Sequence, residues 1–549
     1  MKTAGQILLA QILPEDLRHY ADSPITKKRS KALFKDLATR HPDQYADVLQ
    51  KVNKLAVRAA TDYGRFTSPN LTDLIPPPAL QKKIEAVRKD LDQIKQMDID
   101  ADKKTEMITS YMRKNSDAIR QVAMDSGMKA KNSFAIGANI GYRGKPVELA
   151  QMLVGDMMNV DNSGNPVPIP GVHGYGEGLT SAEQLAGAYG SMMGYSNVQF
   201  MTAKSGYLGK QIQQIVGDVQ IANKDCGAEG VGEALDPKDP SNWGRVLAQD
   251  VDGIPKGTVL DEKTAGKIKS NNVILRSPNT CQNQFGVCQK CAGKGANDKF
   301  PTIGEYIGAE IGSSTSEPMT QTMGLDAKHR GGTVGIDDAR LSAYDRVNQM
   351  YQMSDSFRGA ELAPVDGKVT AIKPAPQGGQ YVTVADQQIH IPPSLKVTVK
   401  RGDTLEAGDR LTDGDLNPRE IVKYKGIGEG RRIFAKEQAD ILNESGIDTS
   451  DRHSQILARG FVNHVRITDA DGIQNMDPGK ILTYAEFQKR YKPRKDAVER
   501  DPSQAEGTFL EKPVLHYTVG TRITPSVAKT LKEKWGKPVA VHHKAPGFE

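Results

Sequence analysis

The chain has 549 residues, which is too long for a single hydrophobic core, so a multidomain protein is expected. Its net charge of +6 is spread along the sequence, which permits an anionic partner without requiring one. No apolar run approaches the ~20 residues that a membrane helix needs, and Gln6 and Gln11 interrupt the apolar N-terminal stretch. These features exclude a membrane helix and a secretory leader, and the expected location is the cytoplasm.

A helical hairpin is the first element that the sequence predicts, after Pro76-Pro77-Pro78. Apolar residues four and three positions apart form its first stripe, which consists of Leu80, Ile84, Val87, Leu91 and Ile94. The returning arm has a second apolar stripe, made of Met107, Ile108, Tyr111, Ile119 and Val122. Between the arms, Asp98-x-Asp100-x-Asp102 is interpreted as a solvated turn, since Lys103 stands where a calcium loop needs glycine.

A longer helical segment runs from about Leu179 to Ile221 and contains Gly187, Gly190, Gly194 and Gly206. Each glycine costs about 1 kcal/mol against alanine in a helix interior. Several glycines in one helix therefore indicate a close backbone approach or a need to bend, and a helix broken into shorter pieces is the alternative.

The sequence changes to a β pattern after Gly332, where Val382 and Val384, and then Val397 and Val399, alternate with polar residues. A small barrel or sandwich is expected there. The run Gly426-x-Gly428-x-Gly430 is too weak for a phosphate loop and is expected to end a strand.

A weak internal repeat links two distant segments of the chain. Gly257-Thr258-Val259-Leu260, with Ala265 and Ile268-Lys269 after it, returns in the same register as Gly520-Thr521-Arg522-Ile523, Ala528 and Leu531-Lys532. Two copies predict a strand-helix unit that is used twice, because a solenoid would need more repeats.

The four cysteines predict a metal site. Cys281-x6-Cys288-x2-Cys291 places three thiolates on a tight knuckle, and Cys226 is the remaining cysteine that could complete a tetrahedron. Four sulfur ligands favour zinc with no open position, and therefore a structural ion. Two alternatives are buried free thiols, which the short spacing disfavours, and a redox dithiol at Cys288-x2-Cys291, which lacks a βαβ setting.

The neighbouring motifs resemble one protein family. Cys-x6-Cys-x2-Cys with Phe285-Gly286-Val287 inside it is similar to the second zinc site of bacterial and plastid β′ polypeptides, the largest subunits of multisubunit DNA-directed RNA polymerases. The segment from Glu177-Gly178-Leu179 to Thr202-Ala203-x-Ser205-Gly206-Tyr207-Leu208 resembles their bridge helix. Gly304-Glu305-x-Ile307-Gly308, Glu317-Pro318-x-Thr320-Gln321 and His329-Arg330-Gly331-Gly332 resemble the approach to and end of their trigger loop. The resemblance is to the C-terminal part of β′, close over residues 1–335 and looser over 360–490.

This resemblance implies the roles of individual residues. Gln321 would contact the ribose of the incoming nucleotide, and His329 would lie near its triphosphate as a charge partner or proton donor, so both are expected to be catalytic. The substrate- or template-proximal residues would be Thr202, Ala203, Met323, Leu325, Lys328 and Arg143.

The sequence also departs from the family pattern. Met192-Met193 stand where an Arg-Lys pair is usual in the bridge helix, and Val198-Gln199 replace a Thr-Ala pair. The trigger loop is one residue longer, with Asp326-Ala327-Lys328 before the histidine where the family has Thr-Phe. The changes in the bridge helix predict altered contacts with the template, and the longer loop leaves open whether Met323 or Leu325 takes the family's base-stacking position.

The magnesium-binding motif of the family, resembling Asn-Ala-Asp-Phe-Asp-Gly-Asp, does not occur in this sequence. The resemblance therefore implies a split β′ in which a partner chain binds the catalytic magnesium and this chain is inactive alone. Because Met1 lies near the start of split C-terminal β′ chains and the chain is small, a large phage is the expected source. Expected partners are the N-terminal β′ part, β-like chains, template DNA, RNA product and nucleoside triphosphates.

Two other hypotheses remain open. The altered bridge helix favours a non-catalytic β′-like protein that is packaged in a virion or binds a host polymerase, and packaging in the virion would change the expected location. An independent zinc-stabilised nucleic-acid-binding protein would need a concentrated basic or aromatic face, which the sequence lacks.

The predicted fold class is α+β multidomain, with a helical N-terminal half, a zinc knuckle and a small β-rich barrel or sandwich. The predicted regions are an N-terminal helical region (1–79), a rim-like hairpin (80–131), a loop region (132–176), the bridge helix and following helix (177–225), a zinc-binding region (226–300), a trigger-loop region (301–358), the β-rich insert (359–425) and a C-terminal α+β region (426–549).

Overall fold

The computed structural model describes most of the chain. The described residues are 2–141, 144–159, 161, 166–228, 230–295, 298–324, 343–353, 357–376, 378–392, 395–447, 449–470, 472–473 and 476–549. They form two compact units, of which one contains residues of Met1–Val198 and the other residues of Gln199–Ala327 and Arg340–Glu549. Within these ranges, no helix is both long enough and apolar enough to cross a membrane.

The first unit is helical. Its helices are Ala4–Ile12, Lys27–Arg40, Tyr45–Thr67, Pro78–Gln96, Ala101–Lys129, Ser133–Ile140 and Pro146–Val154, followed by the first half of Ser181–Val216. The pair Pro78–Gln96 and Ala101–Lys129 forms an antiparallel hairpin, in which Lys83 Nζ donates to Asn115 Oδ1 at 2.9 Å.

The predicted apolar stripes of this hairpin are largely confirmed. All five residues of the first stripe are buried. In the returning arm, Ile108 and Ile119 are buried and Tyr111 and Val122 are partly buried, but Met107 is 39% exposed and Met112 is buried instead. Asp100 caps the start of the returning arm through its side chain, and it is exposed like Asp98 and Asp102. The solvated turn is therefore confirmed.

The second unit mixes helices with small sheets, as the predicted α+β class requires. Its helices are the rest of Ser181–Val216, Glu262–Ala265, Gln289–Ala292, Ile307–Pro318, the π-helix Met319–Gly324, Ala343–Gln352, Pro418–Lys425, Ile427–Glu444, Asp451–Phe461, Tyr484–Arg490 and Pro525–Lys534. Its strands are Ile221–Asn223, Glu233–Leu235, Val273–Leu275, Val287–Cys288, Gly367–Pro374, Gln380–Val384, Gln387–Ile391, Thr404–Leu405, His464–Arg466, Ile481–Thr483, Val498–Arg500, Phe509–Leu510 and Val539–His542.

The β-rich insert is built on one four-stranded antiparallel sheet. Its strand order is Gln387–Ile391, Gln380–Val384, Gly367–Pro374 and Thr404–Leu405. Val382 and Val384 are buried on its inner face, as their alternation predicts. Val397, in contrast, makes only an isolated bridge to Thr412, so the second predicted strand is reduced to a single pairing.

The glycine-rich segment forms one continuous helix, Ser181–Val216, so it is not broken into shorter pieces. A Cβ atom at Gly187 or Gly206 would meet no atom within 4 Å, and the close backbone approach lies further along the helix. There, Ile307–Pro318 crosses it through its own glycines. A Cβ at Gly308 would overlap the carbonyl oxygen of Val216, and one at Gly312 would lie 3.3 Å from the Cα of Gln213.

Alanine substitutions at two of these glycines should have opposite effects on stability. Gly206→Ala is expected to stabilise the second unit by up to about 1 kcal/mol, because it adds helix propensity in open space. Gly308→Ala should cost about 1–3 kcal/mol, because two backbones would have to separate. Urea unfolding of both variants measures the difference, and equal effects would contradict this packing.

The internal repeat is confirmed by the backbone hydrogen bonds of both segments. The N–H of Gly257 donates to the Leu247 carbonyl at 2.9 Å, and the N–H of Gly520 donates to the Leu510 carbonyl at 2.8 Å. The return bonds also correspond, from Leu247 to Thr258 and from Leu510 to Thr521. A helix follows each segment, and a strand follows each helix. In both copies that strand pairs antiparallel with the residue that accepts the glycine N–H, through Leu275 with Leu247 and through Val541 with Leu510.

The expectation for Gly426-x-Gly428-x-Gly430 was wrong. Gly426 lies between the helices Pro418–Lys425 and Ile427–Glu444, with a left-handed φ of +87°. A Cβ at Gly428 would overlap the carbonyl oxygen of His516, and one at Gly430 would overlap Val422. Gly426 therefore permits a tight helix-to-helix turn, whereas Gly428 and Gly430 permit close packing against His516 and Val422.

Candidate functional site

Two parallel strands and a short helix hold the cysteines. Ile221–Asn223 pairs with Val287–Cys288, and Cys226 follows the first strand. Cys288 ends the second strand and caps the helix Gln289–Ala292, in which Cys291 lies. The strand pair therefore brings residues about 60 positions apart in sequence to one point.

The four sulfur atoms form a compact cluster. Their Sγ atoms all lie within 4.8 Å of one another, and the Cys226 and Cys291 sulfurs are 3.9 Å apart. A tetrahedral ion with metal–sulfur bonds of about 2.3 Å would separate its ligands by about 3.8 Å. Three of the four side chains are buried. The geometry and the donor set therefore fit a four-coordinate metal, which these cysteines could hold.

Amide and guanidinium donors surround the sulfurs. The N–H of Cys288 donates to Cys281 Sγ at 3.4 Å, and the N–H of Cys291 donates to Cys288 Sγ at 3.3 Å. Arg276 donates to Cys226 Sγ at 2.9 Å and to Cys291 Sγ at 3.3 Å. These hydrogen bonds favour thiolates, the form in which cysteine binds metals.

The charge of Arg276 is balanced by the cluster. Burial alone would lower the pKa of this guanidinium, but the facing thiolates raise it above its ordinary value. Hydrogen bonds among the four sulfurs lower the pKa of Cys226 and raise the pKa of Cys281 and Cys291. Asp225 accepts from Arg276 at 3.0 Å and from Lys290 at 2.7 Å, which orients the arginine toward the sulfurs.

The loop inside the cysteine motif is shaped by one glycine. Gly286 has a left-handed φ of +66°, and a Cβ there would overlap the carbonyl oxygen of Gln220. That carbonyl accepts the N–H of Val287 at 2.9 Å, which starts the parallel strand pair. Phe285 is 78% exposed, so it does not contribute to the core of the knuckle.

The N-terminus of the helix Ser181–Val216 is anchored by Glu183. Its carboxylate accepts hydrogen bonds from the Val172 N–H at 2.7 Å, the Thr180 N–H at 2.9 Å and the His173 ring at 2.9 Å. Burial alone would raise its pKa, but these donors lower it to about 2. Arg88 of the hairpin donates to the Val172 carbonyl at 2.7 Å and to Glu177, so the hairpin and the helix start share one polar network.

Glu183→Gln should destabilise the first unit by about 1.5–3 kcal/mol at neutral pH, because charge-assisted hydrogen bonds become neutral ones. The folded-state pKa is depressed, so the contribution of Glu183 is present above its unfolded pKa and is lost as pH falls from about 4.5 toward 2. Thermal unfolding from pH 7 to pH 3 measures this. A variant whose acid sensitivity equals that of the unsubstituted chain would contradict the anchor.

Gln321 lies in the π-helix Met319–Gly324, directly after Pro318. Its side chain is exposed, and Nε2 donates to Glu317 Oε1 at 3.1 Å. This π-helix contacts the long helix, where Thr320 Oγ1 donates to the Ser205 carbonyl at 3.4 Å. The preceding helix Ile307–Pro318 also contacts it, since Gln213 Nε2 donates to Ser316 Oγ at 3.3 Å. Proline removes a backbone donor, and a wider turn follows it.

The structure describes only some of the other predicted site residues. Thr202 and Ala203 are exposed on the long helix, one turn before the contact at Ser205. Met323 lies in the π-helix, but its side chain is outside the described part of the structure. Arg143, Leu325, Lys328 and His329 also lie outside the described residues.

Sequence reasoning missed the residues that support these sites. Arg276 and Glu183 were not singled out, although Arg276 touches three of the four cysteines and Glu183 is 5% exposed. An arginine ahead of a cysteine motif, and a Thr-x-x-Glu capping pattern at Thr180, were the available signals.

Comparison with known proteins finds similar sequences among RNA polymerase β′ subunits. The β′ subunit of DNA-directed RNA polymerase from Symbiobacterium thermophilum is 25% identical over 518 residues, which cover 88% of this chain and 43% of that protein. The β′ subunits of Lacticaseibacillus paracasei and Caldanaerobacter subterraneus subsp. tengcongensis are 26% identical over 513 residues and 25% identical over 547 residues. The chain is similar to RNA polymerase β′ subunits over most of its length. The predicted resemblance is thus confirmed.

The match to β′ covers most of this chain but less than half of each relative. It covers 87% and 92% of this chain for the second and third relatives, but 41% and 45% of those proteins. The chain therefore spans less than half the length of the curated β′ relatives that it matches. No protein-family model matches it.

Proposed function

We propose that this chain is the C-terminal β′ part of a DNA-dependent RNA polymerase, and that it acts only in an assembly. Ser181–Val216 would be the bridge helix and Ile307–Gly324 the start of the trigger loop. The observation that carries this proposal is the contact of Ile307–Pro318 with the long helix at Gly308, Gly312 and Gln213, in a chain related to β′ along its length.

The chemistry of the assembled site follows from this arrangement. Gln321 is exposed beyond a helix that is fixed to the long helix, so it is available for a ribose hydroxyl, and His329 would follow it toward the triphosphate. Closing such a segment over a paired nucleotide would exclude water and complete the site.

A partner chain would hold the catalytic magnesium through its aspartates, since this sequence lacks the motif. The other proposed partners are β-like chains, template DNA, RNA product and nucleoside triphosphates. The split organisation and a phage source remain part of this proposal.

We further propose that the metal of the cysteine cluster is structural zinc. Four sulfur donors leave no position open for a substrate, and zinc prefers a tetrahedral thiolate set. The ion would tie Cys226, near the end of the long helix, to the knuckle at residues 281–291. It would thereby hold the second unit's parallel strand pair in register.

The test is purification of the tagged chain from its native source, followed by primer extension with the isolated complex. A partner carrying an aspartate triad should co-purify, and Gln321→Ala and His329→Ala should each slow nucleotide addition at least about tenfold, or about 1.4 kcal/mol. Gln387→Ala, an exposed glutamine of the β-rich insert, is the control and should be neutral. A chain that purifies alone, or extension that is indifferent to both substitutions, would favour the non-catalytic β′-like protein.

A further inference from the structure

A second group of potential metal ligands lies near the C-terminus, away from the cysteines. Asp496, His542 and His543 each offer one ligand atom, and these atoms lie within 4.8 Å of one another. They meet at one end of a three-stranded sheet in which Val539–His542 is the central strand, between Val498–Arg500 and Phe509–Leu510.

His542 is already oriented toward the carboxylate. It is 4% exposed, and its Nε2 lies 2.9 Å from Asp496 Oδ2. Its Nδ1 lies 3.0 Å from the N–H and 3.3 Å from the carbonyl oxygen of Lys544. The ring can therefore accept from one group or donate to the other. When Nδ1 donates to the carbonyl, the Nε2 lone pair is free to bind a metal, which is the usual outer-shell arrangement of a ligating histidine.

The backbone around these three residues is held from several sides. Val541 is fully buried and pairs with Val498, and His542 pairs with Phe509 across the sheet. Arg494 donates to the carbonyls of Lys544 at 2.7 Å and Ala545 at 3.1 Å, which fixes the segment after the histidines. The strand pairing therefore fixes the backbone before the two histidines, and buried Arg494 fixes the backbone after them.

The open side of the group is accessible to an ion. Asp496 has a side chain that is 69% exposed, and His543 is exposed as well. The rings of His542 and His543 are 4.3 Å apart at 35°, so both face the same region. Lys495 and Lys544 are exposed neighbours whose charges are screened by solvent.

We propose that Asp496, His542 and His543 form a second divalent-metal site, separate from the cysteine cluster. Two imidazoles and one carboxylate suit Zn²⁺ and neighbouring transition metals such as Ni²⁺, and they leave at least one position for water. Binding would link the segment before strand Val498–Arg500 to the end of strand Val539–His542. The site does not depend on the polymerase function, because it uses a different part of the chain.

Calorimetric titration of Ni²⁺ into the tag-free full chain, with its cysteines already loaded with Zn²⁺, tests this site. One equivalent of Ni²⁺ should bind, and His543→Ala and Asp496→Asn should each weaken that binding at least tenfold. His464→Ala removes an exposed histidine elsewhere and should leave the affinity unchanged. Circular dichroism of each variant establishes that it folds.

Three results would overturn the proposal. They are the absence of any binding at Ni²⁺ concentrations up to a millimolar, equal affinity in the His543→Ala chain, and a loss in His464→Ala that matches the others. The last two results would indicate adventitious binding by surface histidines only.

Discussion

Replacing Cys288 with serine should release the zinc that we propose for the cysteine cluster and lower the stability of the second unit by about 4 kcal/mol, the value for a ligand at about a thousand times its dissociation constant. The substitution removes a buried sulfur that accepts the N–H of Cys291. It also leaves Arg276, which is 5% exposed, facing fewer anions. Metal analysis and thermal unfolding of the zinc-saturated chain measure both effects.

Phe285→Ser is the matched control for this prediction. It changes an exposed residue inside the same Cys-x6-Cys loop, and so it should retain the metal and the unfolding midpoint. Chelation of the unsubstituted chain should reproduce the loss seen in Cys288→Ser. A Cys288→Ser chain that keeps as much zinc as the unsubstituted chain would refute the four-sulfur site.

Local patterns in the sequence predicted elements well where one helix face or one strand pair decides the structure. The alternation of fours and threes from Leu80 to Ile94 identified a fully buried stripe. The returning arm was less accurate, because Met112 is buried and Met107 is exposed. This arm also packs in one hydrophobic cluster with residues of the helices Ser133–Ile140 and Pro146–Val154, which its own apolar spacing does not reveal.

Glycines were harder to interpret from sequence, since their neighbours are distant in the chain. Gly187 and Gly206 suggested a close approach, but the approach is at Gly308 and Gly312, on the partner helix. Gly428 is required by the carbonyl of His516, nearly ninety positions away. No local spacing carries that information, so a strand end was predicted where the structure has a helix-to-helix turn.

The cysteines, in contrast, could be assigned to one site from sequence. The spacing of Cys281, Cys288 and Cys291 indicated a shared site, and Cys226 was the fourth cysteine of the chain. The supporting Arg276 could not be assigned in the same way, because arginines are common and its role depends on the pairing of Glu233–Leu235 with Val273–Leu275. Motif residues are thus more predictable than the residues that orient them.

A buried ion pair near the C-terminus is the other determinant of stability with a large expected effect. Glu511 is 1% exposed, and it accepts from Arg494 Nη2 at 2.6 Å, from Arg494 Nε at 3.0 Å and from the Tyr491 hydroxyl at 2.7 Å. Burial alone would raise the pKa of Glu511, but these donors hold it below its ordinary value. Its contribution is therefore present above the unfolded pKa and is lost as pH falls.

Arg494→Met should destabilise the second unit by about 3–5 kcal/mol, because it keeps the side-chain volume and leaves the Glu511 carboxylate buried without a counter-charge. Urea unfolding at neutral pH measures the loss. Lys512→Met is the matched control, since it breaks the exposed Lys512–Glu499 pair, which lies at 3.9 Å and should contribute less than about 1 kcal/mol. Adding Glu511→Gln to Arg494→Met should recover part of the loss, because it removes the unpaired charge. Equal costs for Arg494→Met and Lys512→Met would show that burial does not amplify this pair.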